Sequence, residues 1–164
     1  LWLLFLMLSA TITGTIISRY EETISAIPLL VSFIPMLMDT GGNCGTQSST
    51  LVIRGIATDE IRFGDLFKVA FKESRIALIV GAALALVNGL RIILMYQDPR
   101  LAILLGVSLM CTVYLAELIG CMLPLLAKKV HLDPAIMAAP LITTIVDTCS
   151  IMIYFAIATH LFAL

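Results

Sequence analysis

Long apolar runs alternate with short charged punctuation along this chain. The first run, Leu1 to Ser18, carries no charge and closes on Arg19-Tyr20-Glu21-Glu22. A helix rises ~1.5 Å per residue and the hydrocarbon core of a bilayer is ~30 Å thick, so about 20 apolar residues make one crossing. On that measure the pattern predicts helical spans over about 1–18, 23–55, 76–96, 101–127 and 135–164. The second run is longer than a crossing needs. It also contains Pro28, Pro35 and Asp39-Thr-Gly-Gly-Asn-Cys-Gly-Thr-Gln47, which predicts a helix kinked or locally unwound. Over about 56–75, Arg62, Lys68, Lys72 and Arg75 alternate with Phe63, Leu66, Phe67, Val69 and Phe71, the pattern of an amphipathic connector at a membrane surface. Gln97-Asp98-Pro99-Arg100 reads as a short turn. A second basic connector, Lys128 to Pro134, offers Asp133 as an N-cap and Pro134 as the first helical residue.

Composition sharpens this into a class. Charged residues make up 13% of the 164, against ~25% in an ordinary soluble domain. Hydrophobic residues make up 60% and the mean hydropathy is +1.08. Too few polar side chains remain to cover a soluble globular enzyme, and the sequence is too apolar to be disordered. A net charge of -1 with no basic cluster excludes a nucleic-acid binder. The expectation is an all-α, multi-pass protein of the cell membrane, a single domain over 1–164 with five transmembrane helices. Orientation follows from the basic residues. Arg54, Arg62, Lys68, Lys72, Arg75, Lys128 and Lys129 lie on one side, and Arg19, Arg91 and Arg100 on the other. This places the N-terminus in the cytoplasm and the C-terminus outside. With no initiating Met and no basic n-region, Leu1 to Ile17 does not read as a signal peptide, and the sequence reads as a domain excised from a longer protein. Cys44, Cys111, Cys121 and Cys149 fall in apolar stretches without metal-knuckle spacing and read as small buried hydrophobes.

Three acids lie within the predicted spans: Asp39, Glu117 and Asp147. A carboxylate at the centre of a membrane helix costs ~2.5–3.5 kcal/mol on insertion scales, so each needs a partner, a cavity or an ion. On the last span Thr143, Asp147, Ser150 and Tyr154 fall at i, i+4, i+7 and i+11, one stripe, with Thr144 and Thr148 beside it. On the second, Ser32, Asp39, Asn43, Thr46 and Thr50 share roughly one face, and Gly41, Gly42 and Gly45 leave room for a close neighbour. The bland reading of the hydroxyls is a bond back to the preceding turn, and of Asn43 and Asn88 an inter-helix tie. Glu117 could pair with Arg91 on the neighbouring helix. Asp147 has no basic residue one turn away and is the strongest functional candidate. Many oxygen donors with few carboxylates suit Mg²⁺, which keeps most of its waters and takes one or two carboxylates. Spacing alone leaves Na⁺ and H⁺ open, while soft metals lack a Cys/His cluster.

Asp39-Thr40-Gly41 matches the triplet of aspartic proteases, but here it interrupts an apolar helix, and Asp147-Thr148 continues with Cys149 rather than Gly. A hydrolase is therefore disfavoured. The run Pro35-Met-Leu-Met-Asp-Thr-Gly-Gly-Asn-Cys-Gly-Thr-Gln-Ser-Ser-Thr-Leu-Val-Ile-Arg54-Gly, with Leu132-Asp-Pro-Ala135 and Ala139-Pro-Leu-Ile-Thr-Thr-Ile-Val-Asp147-Thr, resembles the signatures of the MgtE magnesium channel/transporter family. The resemblance covers the whole chain. It implies a homodimer whose ion path runs between protomers. Asp147 and the backbone carbonyl of Thr143 would bind Mg²⁺, and Asn43 would lie on a pore-lining helix. Asp39, Thr144, Ser150 and Glu117 are secondary candidates. Mg²⁺ is then the transported ion, and membrane lipid and a second copy of the chain are the partners. The cytoplasmic N and CBS domains of the bacterial branch are not in this sequence and would belong to a longer parent chain. The alternative is a Na⁺- or H⁺-coupled exchanger of the solute-carrier branch, with Asp39 and Glu117 carrying the coupling ion. A non-transporting assembly module, packed through Gly81-Ala82-Ala83 and Gly106, is the third reading. No Gly-x-x-x-x-Gly-Lys nucleotide site is present.

Overall fold

The computed structural model describes residues 2–163, with the side chains of residues 2, 5 and 136–139 outside that description. Six α-helices follow in order: α1 (Trp2–Arg19), α2 (Glu21–Ala26), α3 (Ile34–Ala57), α4 (Leu66–Tyr96), α5 (Pro99–Lys129) and α6 (Pro134–Phe162). Single 3-10 segments occupy Pro28–Phe33 and Phe63–Asp65. The described residues contain no strand, as the apolar periodicity predicts. Among the described residues, three segments are long and apolar enough to cross a membrane: Phe63–Tyr96, Pro99–Lys129 and Pro140–Phe162. α3 is also 24 residues long, but its polar run from Asp39 to Thr50 lowers its apolarity.

The second apolar run is broken, though not where its glycines suggest. Ile27 adopts φ -135°, ψ 80°, the extended conformation imposed by a following proline. Pro28 then opens the 3-10 segment, and Pro35 is accommodated in the first turn of α3, where an unpaired N–H would be lost anyway. Gly41, Gly42 and Gly45 sit in regular α-helix. The break is pinned from outside by the buried Tyr154, whose hydroxyl donates to the Leu30 carbonyl at 2.9 Å. The surface connector is shorter than its composition suggests. α3 runs to Ala57 and α4 begins at Leu66, so residues 66–75 are the first turns of a 31-residue helix.

Helix ends follow their capping residues. Gln97 closes α4 in the left-handed region at φ 53°. Asp98 then caps α5, its carboxylate accepting from the N–H groups of Arg100 and Leu101. Asp133 caps α6 in the same way, accepting from the Ala135 N–H at 2.9 Å, and Pro134 follows at the first helical position.

α5 is the hub. It packs on α4, α3 and α6, α3 also packs on α6, and α1 lies against α6. Leu104, Leu105, Val113, Ala116, Cys121 and Leu125 of α5 are fully buried. The outward face of α4 is as apolar as the interior, with Ile79 70%, Leu86 76% and Leu94 72% exposed. Such a helix is apolar on all sides because its solvent is hydrocarbon. In hydrocarbon the hydrophobic effect does not drive helices together, so close packing over small residues does. At the α3–α5 crossing, a Cβ built on Gly120 would collide with the Gly45 carbonyl oxygen. One on Gly45 would stand 3.2 Å from the Ala116 carbonyl oxygen and 2.7 Å from the Ile142 methyl. Neither backbone can retreat without separating the helices.

Gly120→Ala is therefore expected to lower stability by about 1–3 kcal/mol, the usual cost of overpacking, despite alanine's better helix propensity. Gly89→Ala, on an open stretch of α4 with no atom within 4 Å of the added methyl, should be neutral or slightly stabilising. Thermal melting of the two variants in detergent distinguishes these outcomes.

Candidate functional site

α3 and α6 cross over a second small-residue contact. A Cβ on Gly42 would meet the Thr143 methyl at 3.4 Å, and one on Gly41 would press on Val146 at 2.7 Å with the Ser150 hydroxyl 3.5 Å away. Beside this crossing a cavity of about 240 Å³ opens, lined by Met38, Asp39, Gly42, Asn43 and Thr46 from α3 and by Thr143 and Asp147 from α6. Asp39 and Asn43 are one turn apart, as are Thr143 and Asp147. Each helix thus presents a polar pair to the same space. A neighbouring cavity of about 430 Å³ shares Asn43 and Thr46 and continues past Gln47 and Thr50 to Leu51. Gln47 was not among the sequence candidates; it lies one turn beyond Asn43, on the same face.

The hydroxyls and the remaining polar groups behave differently. Thr46 donates to the Gly42 carbonyl at 2.7 Å and Thr50 to that of Thr46 at 2.8 Å. Thr143 and Thr144 both donate to the carbonyl of Pro140, at 3.1 and 2.8 Å. These are the local back-bonds expected of Ser and Thr in membrane helices. Asp39, Asn43 and Asp147, by contrast, take part in no hydrogen bond or ion pair among the described residues. Asn43 is thus not acting as an inter-helix tie, and the Asn88 amide nitrogen is likewise unpartnered. Asp39, Asn43, Gln47 and Thr50 are exposed and Asp147 is half-buried. No group of three or more His, Cys, Asp or Glu side chains comes together among the described residues. A carboxylate-rich cage is therefore not formed within one copy of the chain.

The α6 stripe does face one way, toward α3 and the 3-10 segment before it. Only its first half borders open space. Ser150 is fully buried, donates to the Val146 carbonyl at 2.6 Å and lies against Gly41. Thr144 does not line the cavity.

Glu117 lies elsewhere. It is buried on α5, beside the carboxyl of Glu73, which is buried on α4. Ser48 of α3 joins them, with its hydroxyl 3.3 Å from Glu73 Oε2 and 3.1 Å from the Glu117 carbonyl oxygen. Arg91 cannot reach Glu117. α4 and α5 run antiparallel from the turn at Gln97, which puts the two about 20 Å apart in height at ~1.5 Å per residue. Arg91 instead reaches the Met36 sulfur at 3.5 Å. The composition of 56–75 hid Glu73 among basic residues. A signal was available in its period, since Glu73, Ala77 and Gly81 recur every four residues and share the buried side of α4.

Residues 34–157 match the family model MgtE, described as a divalent cation transporter. The chain is 36% identical over 159 residues to the magnesium transporter MgtE of Thermus thermophilus. It is 34% identical over 158 residues to that of Bacillus subtilis and 31% identical over 158 residues to that of Enterococcus faecalis. Each match covers 96% of this chain and 35% of the relative, so the chain spans about a third of the length of the relatives it matches.

The buried carboxyl pair makes its own prediction. Glu117→Gln keeps a donor and an acceptor beside Glu73 and should melt close to the parent. Glu117→Ala leaves the buried Glu73 carboxyl with Ser48 alone beside it and should cost about 1–3 kcal/mol, read as a lowered melting temperature in detergent.

Proposed function

The chain belongs to the MgtE family of divalent cation transporters, and from that premise we propose that it carries Mg²⁺ across the cell membrane along a path between two copies of itself. In this reading all five long apolar runs cross the membrane, with the N-terminus in the cytoplasm and the C-terminus outside. The observation that carries the proposal is the set of unpartnered polar groups Asp39, Asn43 and Asp147 around one cavity on an exposed face of α3 and α6. Polar groups at membrane depth are stable only against water, an ion or another polar surface. Covering this face with the same face of a second copy encloses all three. The relatives named above are magnesium transporters by name, which supports the choice of ion.

The donor set suits a hydrated ion. Mg²⁺ gives up its waters reluctantly and binds one or two carboxylates directly or through water. In a dimer Asp147 and its counterpart would repel each other in a poorly screened space, and a divalent cation relieves that repulsion. The Thr143 carbonyl and Asn43 serve as secondary ligands, Asp39 adds negative potential at the mouth, and back-bonded Thr144 and buried Ser150 shape the wall. Moving two charges down ~100 mV releases about 4.6 kcal/mol at ~2.3 kcal/mol per charge, enough for passive uptake.

Flux of Mg²⁺ into liposomes holding the full-length protein, under a negative-inside potential, tests the reading. Asp147→Ala is expected to weaken ion occupancy by about tenfold or more, equivalent to ~1.4 kcal/mol. Asn43→Ala should have a smaller effect, and Ser150→Ala almost none on the ion itself. Normal flux in Asp147→Ala would sink the site assignment. Flux that appears only with an opposing Na⁺ or pH gradient would replace passive uptake by coupled exchange.

A further inference from the structure

Apart from the α3–α6 cavity, with which it shares no residue, a groove of about 540 Å³ lies along the first turns of α4 and the loop before them. Lys68, Lys72 and Arg75 line it, followed along the same helix by Ile76 and Ile79. The positions 68, 72, 75/76 and 79 are spaced i, i+4, i+7/i+8 and i+11, so cations and then isoleucines succeed one another on one face. We propose that this groove binds an anionic phospholipid, its phosphate among Lys68, Lys72 and Arg75 and an acyl chain along Ile76 and Ile79.

The charges are available for such a ligand. None of the three cations takes part in an ion pair or hydrogen bond among the described residues. Two acids, Glu60 and Asp65, line the groove with them, so the three cations outnumber the acids and leave it net positive. Glu73, the acid closest to them in sequence, is turned into the core toward Glu117 and Ser48. Asp65 is held by the Arg62 backbone N–H at 3.0 Å and Glu60 sits in the exposed loop before α4, and neither forms an ion pair with the three cations among the described residues. A guanidinium forks onto phosphate oxygens while two ammonium groups add point charge, a combination suited to a phosphodiester.

The apolar half of the groove selects a lipid over a free anion. Phe71 is 69% and Ile79 70% exposed, and the segment Phe63–Tyr96 is long and apolar enough to lie in a membrane. The polarity gradient along α4, cationic at its start and hydrocarbon beyond Arg75, is that of a phospholipid lying alongside. Basic clusters beside a membrane helix attract anionic head groups for the same reason.

Native mass spectrometry of the full-length protein, titrated with phosphatidylglycerol or phosphatidylcholine in a neutral detergent, tests this. The parent protein is expected to retain phosphatidylglycerol in preference to phosphatidylcholine. The variant K68Q/K72Q/R75Q should lose that preference, weakening by about fivefold for each cation removed. K68R/K72R should retain it, and so should R100Q, which removes a charge from the other end of the bundle. If the triple variant does not fold, K72Q alone carries the test, with about a fivefold loss expected. Equal retention of the two lipids by the parent protein overturns the proposal, as does unchanged phosphatidylglycerol binding in K68Q/K72Q/R75Q. Displacement of the lipid by glycerol 3-phosphate would overturn it in favour of a site for soluble phosphates.

Discussion

Everything in this fold depends on how closely α3 can approach α5. Gly45 and Gly120 bring the two backbones together where even one added carbon would collide. In hydrocarbon no hydrophobic force compensates for a gap, so contact between the helices is itself the stabilising interaction. That approach sets the rotation of α3 about its own axis. With Gly41, Gly45 and Ser48 turned toward α5 and α6, Asp39, Asn43 and Gln47 have only the outer face left to occupy. The polar surface of α3 is thus a geometric result of its glycine surface.

Two populations of polar groups in the bundle stand in contrast. One is internally satisfied. Thr46, Thr50, Thr143, Thr144 and Ser150 return their hydroxyl protons to the preceding turn, and Ser48 links the Glu73 carboxylate to the Glu117 backbone carbonyl across three helices. The other population, Asp39, Asn43 and Asp147, is gathered at one place and left without partners. Unpartnered polar atoms also occur in the core, at Ser49, Asn88, Ser108 and Thr112, but Asp39, Asn43 and Asp147 share one cavity, in a medium where an unmatched polar atom costs several kcal/mol.

Much of this was legible in the residues. Asp133 announces a helix start because an acid before a proline has a local meaning that tertiary context seldom overrides, and Asp98, read only as part of a turn, caps α5 by the same chemistry. The stripes on α3 and α6 were legible because 3.6-residue periodicity survives packing. The glycine run was harder, because glycine signals both loosened helix and close approach. Only the positions of Thr112, Ala116 and Ile142 against it decide for the second. Glu73 was misplaced because local composition, rich in Lys and Arg, outweighed a period that pointed inward. Which half of the α6 stripe borders a cavity depends on where α3 leaves it, and that is a property of the crossing rather than of either helix.

The peripheral position of α1 has a mechanical consequence. α1 lies against α6, and a contact of 3.4 Å between the Thr13 and Thr148 hydroxyls sits one residue beyond Asp147. Tyr20, just past the end of α1, stacks on Phe155 of α6 at 4.9 Å between ring centres. α1 and α6 are therefore fastened at two heights about two turns apart, while α3 and α5 are locked to each other backbone to backbone. The stretch of α6 that carries Asp147 is thus clamped between an outer brace, α1, and the inner pair α3 and α5, and the acid sits on a segment gripped from both sides.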